Sequence, residues 1–277
     1  MRADEVALVA SMCRARAGLK VAADKVYLIE SRLAPVARRQ KFDSISAMLA
    51  AIRERREEPL IWDAVEAMAA GETSFLRDRA PFKLIGEEIL AQLSKLRGGA
   101  PIRIWSAACA TGQEIYSLAM IAGTVAEVEP EVRVELAASD LSRHALERAQ
   151  SGLYNQFEVQ RGLPIRRLTA HFQKEGDQWR LSPEIRSRVR WRRINLIAGL
   201  RQIGRFDIVF CRYVLGSMTE DAQKKVLEDL TFVMPDDGYL VLGQDEEIGG
   251  LAPAFEPIVG RPGMFRRNPA FQAAAAA

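Results

Sequence analysis

The sequence predicts an α/β protein in which a mostly parallel sheet with an antiparallel edge strand follows a small all-α unit. Three observations predict it. From residue 99 onward, apolar runs of strand length alternate with amphipathic segments of helix length, the pattern of βαβ units. Residues 1–70 place their apolar side chains at helical spacing and show no strand alternation. Between them, an apolar strand runs into small residues and Gly112, a helix follows, and a second strand ends on Asp140, about 28 residues after the glycine. That layout is a nucleoside-binding crevice of the Rossmann-like kind.

Each element follows from local pattern. Val6, Leu8, Val9 and Met12 form the apolar stripe of a first helix. VYLIESRLAPVARR (26–39) forms another, with Pro35 expected to start or kink a helix because it lacks the N–H and crowds the preceding turn. Residues 44–57 and 60–69 continue the helical pattern, so 1–70 read as a bundle. Residues 71–98 read as a junction helix and 99–277 as the α/β domain. Its strands are expected at 102–107, 132–139, 189–194, 206–211, 239–242 and 264–266, and its helices at 113–126, 143–151 and 220–233. The last two strands are joined by a Pro- and Gly-rich segment and are expected to pair antiparallel at the sheet edge. Residues 161–193 are arginine-rich and read as a small inserted β-subdomain, with a hairpin turn at Gly176-Asp177. The alanine tail is expected to fray.

Bulk properties narrow the function classes. The chain has 277 residues, is 48% hydrophobic and 27% charged, and carries a net charge of +3, too small to imply a nucleic-acid partner. Three dispersed cysteines, Cys13, Cys109 and Cys211, show no metal-ligand spacing and no disulfide framework. Two histidines leave little scope for His-based metal or triad chemistry. The first residues are charged, and no apolar run reaches membrane-spanning length. A cytoplasmic, metal-free monomer without membrane insertion is therefore expected.

Several candidate residues emerge from residue type and position. Gly112 would let the backbone approach a ligand where a side chain would clash. Asp140 either accepts hydrogen bonds from ribose hydroxyls or caps the helix that follows. Glu114 is placed as a favourable charge near a helix N-terminus. Arg77 is compatible with a structural pair to Asp78 at a helix start. Asn195 is compatible with a turn. Tyr116, Trp105, Trp191 and Phe210 read as core residues.

Eight segments in order then match one family: VYLIESRLAPVARR (26–39), GETSFLRD (71–78), WSAACATGQEIYSLAM (105–120), ASDLSRHALERAQSGLY (138–154), VQRGLP (159–164), INL (194–196), FDIVFCR (206–212) and MPDDGYLVLGQDE (234–246). The chain resembles the CheR-type chemotaxis-receptor methyltransferases, which methylate receptor glutamates using S-adenosylmethionine. The resemblance implies a class I methyltransferase domain behind a helical domain. It implies cofactor contacts from Gly71, Thr73, Arg77, Gly112, Glu114, Asp140, Asn195, Leu196, Arg212 and Tyr213, with Leu196 packed on the adenine, and catalytic roles for Arg77 and Arg212. It also implies that the partner is the cytoplasmic helices of a methyl-accepting receptor, met by a basic face of Arg32, Arg38, Arg39 and Lys41. In some relatives the 161–193 segment forms a small antiparallel subdomain.

The sequence departs from the family pattern in places. Tyr213 stands where Asn is usual and Ser217 where Tyr is usual; Ile115 replaces Pro and Asp245 replaces Ser. Two functions follow: a protein-glutamate O-methyltransferase, or a regulator that binds the cofactor without transferring the methyl group. A glutamate is already anionic at neutral pH, so the first requires no general base.

Overall fold

The computed structural model describes residues 1–22, 24–69, 71–268 and 271; the alanine tail, 273–277, lies outside the described residues. Four helices among them build the amino-terminal unit: α1 (Ala3–Ala17), α2 (Val26–Arg39), α3 (Ile45–Arg55) and α4 (Glu58–Ala69). Their apolar faces converge on a separate core containing Val9, Leu33, Met48, Ile52 and Val65. Helix α1 ends at Gly18, whose φ of 65° supplies the left-handed stop. Helix α2 passes through Pro35 without ending, so Pro35 does not start a helix. Ser31, whose carbonyl loses its partner there, and Pro35 itself are exposed, so water can serve the orphaned group.

The junction is part of the larger domain rather than a spacer. Helix α5 (Ala80–Leu84), a π turn at Ile85–Ile89 and helix α6 (Leu90–Leu96) follow without interruption. Phe82, Ile85, Ile89, Leu90 and Leu93 are buried in the core on one face of the sheet.

The α/β domain continues as β1 (Ile102–Ala107), α7 (Gln113–Val128), β2 (Val134–Asp140), α8 (Arg143–Ser151), β3 (Leu153–Asn155), α9 (Gln156–Gln160), α10 (Ile165–His171), β4 (Phe172–Glu175), β5 (Gln178–Leu181), α11 (Pro183–Ser187), β6 (Val189–Arg193), β7 (Ile208–Phe210), α12 (Glu220–Val233), β8 (Tyr239–Val241), β9 (Phe255–Pro257) and β10 (Met264–Arg267). Among the described residues, seven strands form one sheet in the order β6-β2-β1-β7-β8-β10-β9. The first four pairings are parallel and the last two antiparallel, so the predicted architecture holds and the expected antiparallel edge gains one more strand. Near-continuous apolar runs such as IRIWSA suit strands covered on both faces, and five of its six residues are buried.

The small sheet, β3-β5-β4, turns at Gly176-Asp177 as expected. Its first strand is drawn from 153–155, ahead of the 161–193 segment. Residues 189–193 leave it and join the large sheet, Leu136 facing Val189 and Asp140 facing Arg193 in parallel register. Val189 is buried there, and Trp191 packs edge-on to Tyr116 with ring centroids 5.6 Å apart.

The two units are joined by backbone as well as side chains. Lys20 N–H donates to Ser217 O and Thr219 N–H to Gly18 O, each at 2.8 Å. No helix among the described residues is long and apolar enough to cross a membrane.

Candidate functional site

The chain steps from β1 to β2 on one side and later to β7 on the other, so the crevice opens at the carboxyl ends of these strands. A cavity of about 240 Å³ lies there. Its walls include the 71–77 segment of the junction, Ala108–Ala110 after β1, Glu114 of α7, Asp140 at the end of β2, and Arg212–Val214 and Ser217 after β7. Arg32 and Met68 of the helical unit complete the rim. Of the expected site residues, Gly71, Thr73, Arg77, Glu114, Asp140, Arg212 and Tyr213 line this cavity.

Asp140 does not cap the next helix; Ser142 does, its hydroxyl accepting from Ala145 N. The Asp140 carboxylate instead ties together the two loops that floor the cleft. One oxygen accepts from Ala110 N–H at 2.9 Å, the other from Ser142 N–H at 2.8 Å. A carboxylate has about four acceptor sites, so acceptor capacity remains for hydroxyls of a ligand in the cavity that Asp140 lines. Burial pushes its pKa above the ordinary range, opposed by the two backbone donors.

Glu114 lies in the first turn of α7, with Ser106 Oγ donating to one oxygen at 2.7 Å and Arg212 Nη1 to the other at 3.1 Å. Burial again raises its pKa, with Arg212 acting against the shift. Arg212 is itself buried, its side chain only 2% exposed. Its guanidinium donates to Leu242 O at 3.3 Å, to Glu114, to Arg77 O at 3.0 Å and to Asp78 Oδ2 at 2.5 Å. It is therefore a hub for protein groups.

Arg77 is disposed differently. It does not pair with the adjacent Asp78. One nitrogen donates to Glu72 O at 3.1 Å, and the guanidinium lies over the Tyr213 ring, 3.5 Å from its centroid. The Tyr213 hydroxyl donates to Asp78 Oδ2. Ser217, where the expected tyrosine is missing, turns its hydroxyl back to Val214 O at 2.7 Å.

Among the described residues, seven non-glycine residues have positive φ, and five of them are Leu76, Asp78, Ala108, Ala110 and Tyr213. Four of them lie in the segments that wall the cavity, and Asp78 directly follows the 71–77 segment. Such conformations cost about 1–3 kcal/mol each and gather where geometry is held for function.

Three expected residues take other positions. Gly112 caps α7 with φ 89°, and a Cβ there would meet Ala149 at 2.9 Å and Trp191 at 3.2 Å, so close packing by itself accounts for a glycine. Asn195 donates its amide to Arg16 O at 2.6 Å, and its side-chain oxygen accepts from Ile197 N. Leu196 is buried in the second sheet core. Neither lines the cavity. Of the basic face, Arg32 turns toward the cavity, whereas Arg38, Arg39 and Lys41 are exposed and Arg39 lies 3.7 Å from Asp63.

Sequence reading passed over Asp78 as a partner of Arg212 and Tyr213, and over Glu246, whose Oε2 accepts from Tyr213 N–H at 2.6 Å and Gly243 N–H at 2.8 Å. Among the described residues no group of three His, Cys, Asp or Glu side chains is arranged to hold a metal ion. Cys13, Cys109 and Cys211 are free and buried.

Residues 71–263 match the family model "CheR methyltransferase, SAM binding domain". The chain is similar to "Chemotaxis protein methyltransferase 1" of Pseudomonas aeruginosa, 34% identical over 254 residues, spanning 90% of this chain and 92% of the relative. It is similar to "Chemotaxis protein methyltransferase 1" of Vibrio cholerae, 34% identical over 250 residues, 89% and 90% of the two chains. "Chemotaxis protein methyltransferase" of Vibrio anguillarum is also 34% identical over 250 residues, with the same coverage.

Proposed function

The chain belongs to the CheR methyltransferase family, and on that premise we propose that it methylates glutamate side chains on the cytoplasmic helices of a chemotaxis receptor. It is a methyltransferase that uses S-adenosylmethionine in chemotaxis; the glutamate target and the roles of single residues are the proposal.

The observation that carries it is the pairing of two opposite functions across one cavity. On the floor, Asp140 keeps acceptor capacity for a ligand's hydroxyl groups, beside the Ala108–Ala110 loop whose backbone it orients. At the wall, Arg77 presents a guanidinium bound to protein only through Glu72 O and a tyrosine face among the contacts described above. These residues fit the cofactor: Asp140 for the ribose, the small residues 108–110 for close approach, and Thr73 and Gly71 along the junction wall. When bound, the cofactor supplies a methyl group on a positively charged sulfur, open to attack by an oxygen anion. Arg77 would hold one oxygen of the receptor glutamate and leave the other free, a division that suits the fork of a guanidinium. Alignment replaces base catalysis because the glutamate is already ionised.

Helix α2 supports the receptor reading. It runs from Arg32 at the cavity to the exposed Arg38 and Arg39, with Lys41 just beyond, a basic track suited to an acidic helix.

The test is transfer of labelled methyl groups from S-adenosylmethionine to a receptor cytoplasmic fragment, scored as base-labile label. Base-labile incorporation on glutamate supports the reading. Binding of S-adenosylhomocysteine without any transfer would replace it with that of a regulator.

A further inference from the structure

We propose that Tyr213 is a positioning residue, whose ring, anchored through its hydroxyl on Asp78, holds the Arg77 guanidinium at the cavity wall in room left by Gly243. The proposal rests on the role of Arg77 given above. It explains why the loop after β7 accepts a strained residue at its first turn.

The contacts form a closed circuit. The Arg77 guanidinium lies 3.5 Å from the centroid of the Tyr213 ring. The Tyr213 hydroxyl donates to Asp78 Oδ2. The same oxygen accepts from Arg212 Nη2 at 2.5 Å, and that nitrogen also donates to Arg77 O at 3.0 Å. Arg77 is thus held at both ends, its carbonyl by Arg212 and its head group by Tyr213. Apart from the ring, the head group makes one hydrogen bond, to Glu72 O. A flexible arginine side chain tethered by a single such bond samples several rotamers, and a flat aromatic face selects among them.

The ring is in turn fixed from behind. Tyr213 adopts φ 59°, a region that side-chain-bearing residues rarely occupy. Glu246 holds that turn through Tyr213 N–H and Gly243 N–H together. A Cβ at Gly243 would come within 2.5–2.9 Å of three ring atoms, so the glycine makes the space that the ring fills. Tyr213 is the one aromatic side chain among the described lining residues. Its phenol enters the cavity from the third residue after β7, while Ser217 further along the loop contributes none.

The test compares Tyr213→Phe, Tyr213→Leu, Arg77→Ala and the double variant Arg77→Ala/Tyr213→Leu in the full chain. The first readout is NMR of arginine-labelled protein, with the Arg77 signal assigned by its loss in Arg77→Ala. That signal should be shifted upfield by the ring current in the wild type and in Tyr213→Phe, and should return to the ordinary position in Tyr213→Leu. An unshifted wild-type signal overturns the proposal, whatever the protein's activity. The second readout is methyl transfer to the receptor fragment. Tyr213→Leu should lower kcat by about tenfold with little change in the KM for S-adenosylmethionine, and Tyr213→Phe should recover most of the loss. In the Arg77→Ala background the leucine change should have no further effect. A full additive loss would mean that Tyr213 does not act through Arg77. A shifted Arg77 signal in a protein that transfers no methyl group would uphold the positioning and refute the reaction.

Discussion

Glu66, in the last helix of the amino-terminal unit, accepts a 2.6 Å hydrogen bond from Arg193 at the sheet edge. Its other oxygen accepts from the backbone N–H of Arg143, the first residue of α8, at 2.9 Å. A side chain of one unit thus caps a helix of the other. Replacing Glu66 by Ala removes both bonds at a buried position and should lower stability by about 1–3 kcal/mol. Arg193→Ala should cost less, because that side chain is 46% exposed and Glu66 keeps its backbone donor. Urea unfolding of the two variants checks the order.

Asp140→Ala should weaken S-adenosylhomocysteine binding by about 1–3 kcal/mol, through loss of charge-assisted acceptors and loosening of the Ala110 loop. Isothermal titration calorimetry measures it. Unchanged affinity would remove Asp140 from the cofactor site.

Asp140 also sets a pH dependence. Burial raises its pKa in the folded state, so the native protein holds that proton more tightly than the unfolded chain. The ionised group therefore works against folding at neutral pH. That cost disappears as pH falls through the raised native value toward the ordinary carboxylate value near ~4. Asp140→Asn lacks the transition. The stability of the variant minus that of the wild type should decline from pH 7 to pH 4 in urea titrations; a difference independent of pH would contradict the burial argument. Glu175 and Asp237 act in the opposite sense, since bonds from Arg180 and Arg97 lower their pKa values. Their contributions are present at neutral pH and are lost as pH falls through the lowered native values.

Gly162 has φ 99°, and a Cβ there would lie 2.1 Å from the carbonyl oxygen of Phe75. Gly162→Ala must push back the segment that carries Arg77. A loss of about 1–3 kcal/mol in stability is expected, with weakened transfer in whatever protein remains folded. Thermal unfolding and the methyl-transfer assay measure the two effects separately.

Much of the scaffold was legible because its signals are local. The runs expected at 102–107 and 132–139 appear as strands at Ile102–Ala107 and Val134–Asp140, the turn at Gly176-Asp177 follows from turn chemistry, and helices 143–151 and 220–233 match their expected bounds. Strands β3 and β9 escaped because three residues carry too little periodicity, and β9 ends in a proline confined to an edge. The cavity was legible where a residue type announces a use, as at Asp140 and Arg77. It was hidden where a role depends on distant pairing. Asp78 meets Arg212 across 134 residues of chain, and Gly243 is explained only by a ring that arrives from another strand. A glycine at a helix start has two physical causes, and the sequence showed nothing of the packing against Ala149 and Trp191 that is one of them at Gly112.

The two backbone bonds between Gly18–Lys20 and Ser217–Thr219 have a consequence for design. The loop after β7 is stitched to the chain that leaves the first helix, so the helical unit is no interchangeable cassette. Grafting a relative's unit onto this domain would require the donor to bring its own matching stitch. A chimera that kept every surface arginine but shifted that turn by one residue would misplace Tyr213 without altering any residue of the pocket.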